Sequence, residues 1–146
     1  MSRIIRNDRI MHGFAASSTT VTAKTGAGII TINSSTVATL AEEYDTHNEF
    51  NPATGVFTPT VAGYYKFTCA MWGGGLATGC IGYVNKNGTA VVTDPVPVLG
   101  TSCTSKPGCT IYMNGSTDYV DFAFNPNGDT AYNIVGVRLE GVLIGL

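Results

Sequence analysis

Side chains able to do acid–base or nucleophilic chemistry are few in this chain, and they are scattered. His47 stands between Asp45 and Glu49 in a polar stretch, and His12 lies far upstream near the amino terminus. The spacing of Asp45, His47 and Glu49 matches no nucleophile–base pair, so both histidines read as solvated side chains rather than a base or a ligand. No Gly-x-Ser-x-Gly, P-loop or dinucleotide fingerprint occurs. Gly73-Gly74-Gly75 lacks the following helix and lysine that turn a glycine run into a phosphate cradle. The cysteines at 69, 80, 103 and 109 form no CxxC pair and have no histidine at ligand spacing, so no zinc site is expected. Cys69 reads as a small buried hydrophobe. Cys103 and Cys109 bracket a Thr-Ser-Lys-Pro-Gly turn and are the candidate disulfide. Closing that loop would stabilise the fold by about 2–2.5 kcal/mol, although a reducing cytosol would keep it open before release. No catalytic residue, cofactor or metal is expected, and the chain reads as a non-enzyme.

The elements that position these residues are strands. At 146 residues the chain makes one domain with a substantial core. β-branched runs separated by Gly, Pro and Asn clusters describe an all-β sandwich or barrel. Charged residues make up 12% of the chain, about half the ~25% of ordinary soluble domains. So little charge suggests that part of the surface is covered in an assembly. The net charge of −2 gives no reason to expect nucleic acid or an anionic membrane as partner.

The most informative stretch is 45–69, DTHNEFNPATGVFTPTVAGYYKFTC. Asn51-Pro52-Ala53-Thr54-Gly55 is a turn, and from Gly63 an alternation sets Tyr65, Phe67, Cys69 and Met71 on one face. Asp45, Phe50, Phe57, Gly63, Tyr65 and Phe67 fall at the spacings of the signature of complement C1q and tumour-necrosis-factor-like head domains, which the chain resembles over residues 12–146. It departs from that pattern at Thr39, where an aromatic is usual, and at Cys69. The Lys-Asn-Gly turn at 86–88, the strand at 118–124 and the closing Leu-Glu-Gly-Val-Leu-Ile at 139–144 are similar to the same family. The resemblance implies a trimer-forming jelly-roll β-sandwich. Tyr64, Trp72 and Tyr119, large aromatics on outward positions, are the candidate trimer interface. Some relatives bind calcium near the trimer apex, which makes the loop acids Asp94 and Asp129 the ligands that the resemblance would offer, although the motif is loose and no metal is expected.

Smaller expectations follow from the pattern. Runs at 29–32 and 36–40 are short β segments, and Ala41-Glu42-Glu43 is at most a helical turn. The three glycines at 73–75 should interrupt a strand. Asn87-Gly88 predicts a hairpin whose return strand carries Pro95 and Pro97 at an edge. In the last strand Val135, Val137, Leu139 and Leu143 point inward, with Arg138 and Glu140 outward.

Residues 1–11 lie outside the resemblance. Arg3, Arg6 and Arg9 alternate with Ile4, Ile5 and Ile10, which makes either a basic arm that docks on an acidic surface or a frayed terminus. No signal-peptide core is seen in the first 30 residues, and Asn33, Asn87 and Asn114 head glycosylation-type triplets that matter only on export. A compact head made in a host cytoplasm without a leader or collagen stalk is expected to be a bacteriophage virion part, either a capsid decoration or head-fibre protein. The alternatives are a receptor- or glycan-binding knob, with its site in loops 73–79, 93–105 or 125–130, and a spore-surface structural protein.

Overall fold

The computed structural model describes residues 11–146, and the proposed arm residues Arg3, Ile4, Ile5, Arg6, Arg9 and Ile10 lie outside them. Among the described residues the regular structure is all strand. Two antiparallel sheets are stacked face to face as a sandwich.

The seven-stranded sheet is built around β7 (Gly63–Gly74) and β13 (Ala131–Gly145). On the free side of β7 lie β10 (Ser102–Ser105) and β11 (Gly108–Met113). Beyond β13 come β1 (Gly13–Ser18) and β2 (Thr22–Thr25), and β4 (Ala41–Asp45) closes the edge on β1. The six-stranded sheet runs β5 (Phe50–Asn51), β6 (Val56–Phe57), β12 (Val120–Asn125), β8 (Cys80–Lys86), β9 (Thr89–Val96), with β3 (Ile30–Thr31) also on β12. Pro95 sits in β9, an edge strand, where its missing N–H costs no ladder bond. Asn87 and Gly88 both have positive φ, 52° and 76°, the geometry of the tight turn that joins β8 to β9.

Burial explains the aromatic spacing. Phe50, Phe57, Tyr65 and Phe67 all point between the sheets and meet Phe14 and Phe122 there. Phe57 is the hub, 4.9 Å from the Phe14 ring and 5.7 Å from both Tyr65 and Phe67. Gly141 leaves room for this cluster, since a Cβ there would lie 2.7 Å from Phe67 and 2.8 Å from Phe14.

Four local expectations are corrected. Ala41-Glu42-Glu43 is strand, because pairing with β1 supplies its backbone hydrogen bonds. The 36–40 run is instead a turn, in which the Asn33 side chain accepts from the Ser35 and Thr36 amides and Leu40 still reaches the core. The glycines do not end β7 at Trp72: Gly73 and Gly74 continue it against Ile134 and Asn133. A Cβ on Gly73 would meet Leu76 at 2.5 Å and Phe124 at 2.9 Å, so glycine is there for space. Finally, a register shift between Ile134 and Gly136 turns Val135 outward and puts Ile134 in the core.

Candidate interaction surface and side-chain clusters

The even-numbered residues of β7 face away from the core and build the outer surface of the seven-stranded sheet. Tyr64 and Trp72 stand on it, 52% and 37% exposed. Tyr112 on β11 lies directly across from Tyr64, ring centroids 5.5 Å apart and edge to face. Sequence reasoning missed Tyr112, although its alternation within 109–113 places it outward. Val135, flipped out by the bulge, stands at the Trp72 end of the same sheet. Tyr119 does not join them: it precedes β12 in the opposite sheet and is half-buried beside the Asn87-Gly88 turn. The three aromatics of the sequence proposal therefore do not form one surface.

Between the two aromatic ends lies a charged middle. Arg138 donates through Nε to Glu140 at 2.7 Å and through Nη1 to Glu43 at 2.6 Å, and Ser17 donates to Glu43 at 2.7 Å. The Ser17 bond and then Arg138 hold the Glu43 carboxyl below the usual range, while Glu140 and Glu43 raise the Arg138 guanidinium. A hollow of about 290 Å³ opens here, bordered by Thr68, Ala70, Lys106 and Arg138. The face is thus aromatic, charged, then aromatic along β7.

The loop acids are used internally. Asp129 accepts the Ala77 and Thr78 amides at 2.9 and 3.1 Å, which lowers its pKa, and Asp94 accepts the Lys106 amide at 2.6 Å. Asp129 caps its loop, whereas Asp94, expected in a loop, lies in β9 and ties that strand to the 105–106 turn. Asp118 ties two turns together: Lys86 pairs with it at 2.8 Å, and Asn87 and the Asn114 amide donate to it. These bonds, led by Lys86, depress its pKa. Asp45 organises the loop after β4, accepting the Phe50 amide at 2.7 Å and the His47 amide at 3.2 Å.

That loop brings His47 and Glu49 to His12, which the sequence kept apart. His12 is buried rather than solvated, because Gly13 exchanges bonds with Thr46 and so fixes the start of β1 beside residues 46–49. The His12 ring lies 3.1 Å from Glu49 and stacks on His47 with centroids 3.7 Å apart.

The cysteines pair differently from the sequence expectation. Cys103 bonds to Cys80, joining β10 of one sheet to β8 of the other, and Cys109 is a free thiol. The Thr-Ser-Lys-Pro-Gly turn brings β10 and β11 along the same edge of β7, in line rather than face to face, so Cys103 and Cys109 pair with different parts of that strand. Cys69 is buried as expected, and burial pushes both free thiols up, away from the reactive thiolate form.

No family model and no curated protein matches the chain. Solved structures do. The fold overlays murine APRIL with a TM-score of 0.68 at 8% identity, covering 92% of this chain and 99% of that one. The globular domain of zebrafish complement 1qA gives 0.62 at 16% identity, covering 91% and 97%. The PRD1 phage vertex protein P5 gives 0.66 at 11% identity, covering 91% and 96%. The chain has the C1q/TNF-like jelly-roll fold, and its structural neighbours are heads of that kind together with a phage virion protein.

Proposed function

We propose that this chain is a non-enzymatic, trimeric virion protein, a head module that decorates or tips a bacteriophage particle. The observation that carries the reading is its nearly full-length likeness to a phage vertex protein. The outer face of the seven-stranded sheet supports the trimer. Tyr64, Tyr112 and Trp72 are large aromatics exposed on one sheet, the composition that interface cores favour. Tyr119, in the loop that leads into β12 of the other sheet, is left out of that interface. Residues 1–11 are the proposed anchor, with Arg3, Arg6 and Arg9 for charge-assisted bonds and Ile4, Ile5 and Ile10 for burial. Three arms on one trimer multiply a weak contact by avidity.

Light scattering on the intact chain and on a version lacking residues 1–11 tests this. A trimer in both, converted to monomer by Tyr64→Arg with Trp72→Arg, is expected. A monomeric wild type overturns the trimer. Loss of binding to purified particles on removing the arm is expected for a decoration protein; binding to host cells that survives arm removal and fails on changes in 73–79 or 125–130 favours a receptor-binding knob instead.

A further inference from the structure

We propose that His12, His47 and Glu49 form a binding site for a divalent transition metal of the zinc class, at the point where the chain enters β1. One donor atom from each side chain lies within 4.8 Å of the other two. The Glu49 side chain is only 1% exposed. Its Oε1 is saturated, accepting the Thr60 amide at 2.6 Å, the Thr60 hydroxyl at 2.5 Å and His12 at 3.1 Å. Its Oε2 is buried and has no hydrogen-bond partner among the described residues. A buried carboxylate oxygen with nothing to accept from is costly, and a cation ligated there removes the cost. Two imidazoles and one carboxylate select a transition metal over calcium or magnesium, which prefer all-oxygen shells. Three protein ligands leave one position of a tetrahedron to water.

The framework is already built. Leu143 donates to the His12 carbonyl at 2.8 Å, Gly13 is bound to Thr46, and Thr58 donates to the Glu49 carbonyl at 2.8 Å, so two of the three ligands sit on pinned backbone. The adjustable one is His47. Its ring is parallel to that of His12, at an interplanar angle of 10°. Lone pairs of stacked rings run parallel and cannot converge on one ion, so His47 must turn out of the stack. It is exposed, and among the described residues its ring is hydrogen-bonded to Thr46 Oγ1 alone, at 2.9 Å, which leaves that rotation open. Ligation would lock the 46–49 loop to the start of the first strand.

The test uses the untagged full chain, stripped with chelator and titrated calorimetrically with zinc. One equivalent per chain is expected, with a rise in the thermal midpoint. His47→Ala should weaken binding at least ~tenfold while the chain still unfolds cooperatively in chelator, and His12→Asn should do the same to binding. Cobalt in place of zinc should give a ligand-field spectrum without a thiolate charge-transfer band, which excludes Cys69 and Cys109 as donors. Absence of saturable uptake by the wild type, equal affinity in His47→Ala, or a thiolate band would each overturn the site.

Discussion

Breaking the Cys80–Cys103 bond should cost more stability than any surface contact in the molecule. The two sulfurs join opposite sheets across a sequence separation of 23. On the chain-entropy account, a closed loop of that length stabilises the fold by about 3.4 kcal/mol at 25 °C. Unfolding entropy of roughly 2.1 cal/mol/K per residue converts this to a fall of about 11 °C in the thermal midpoint. Reduction by dithiothreitol is the cleaner perturbation, because it removes the bond and leaves both buried sulfurs in place. The assay is a melt followed by circular dichroism, oxidised against reduced, with peptide mapping of the oxidised protein. The Lys106–Pro107 bond resists trypsin, so Cys103 and Cys109 stay within one fragment while Cys80 falls in 67–86. A Cys80–Cys103 bond therefore cross-links two tryptic fragments, and the cross-link vanishes in Cys80→Ser. A Cys103–Cys109 bond would leave them separate. Uncross-linked fragments from fully oxidised protein, or a midpoint that reduction moves by less than about 2 °C, would refute the reasoning.

Three further outcomes follow from the packing. Phe57→Ala, at the fully buried hub of the aromatic cluster, should cost about 3–5 kcal/mol in urea unfolding; a cost under about 1 kcal/mol would mean the cluster is not the core. Gly141→Ala places a methyl against Phe67 and Phe14 and should cost about 1–3 kcal/mol, read as a lowered denaturation midpoint with an unchanged slope. Asp118 has a folded pKa below its unfolded value, so its contribution is present above the unfolded value of 3.8 and is lost as pH falls through the folded one. Asp118→Asn should therefore flatten the acid limb of the stability curve below about pH 4, and an unaltered limb would show that Lys86 and Asn87 do not hold it.

The legible parts of the fold were those in which one residue type serves one local need. The spacing of Phe50, Phe57, Tyr65 and Phe67 encodes which faces are buried, and the sandwich honours it. Asn87-Gly88 encodes a turn, because positive φ at both positions favours those residues. Val135 departs from the simple alternation because a bulge shifts it by one residue; Gly136 inside the strand is the local sign of that bulge, but alternation alone does not say which neighbour turns outward. Ala41-Glu42-Glu43 has helical composition but is strand, since the edge of β1 offers it hydrogen bonds that a single helical turn cannot match.

The clusters were less legible than the fold. Tyr64 and Trp72 were placed outward from β7 alone, but their alignment with Tyr112, and the separation of Tyr119, depend on which strands lie in which sheet. The same holds for chemistry. Cys103 lies six positions from Cys109 in sequence yet bonds to Cys80 across the sandwich, and His12 meets Glu49 only because β1 pairs with β4. The sequence by itself determined the strand content and the aromatic core, because burial periodicity and turn stereochemistry act between near neighbours along the chain, and the jelly-roll class followed from the resemblance carried by the motif at 45–69. Only the tertiary structure decided the disulfide partner, the aromatic face and the His12–His47–Glu49 cluster, because these depend on pairings between strands distant in sequence, set by the packing of the two sheets.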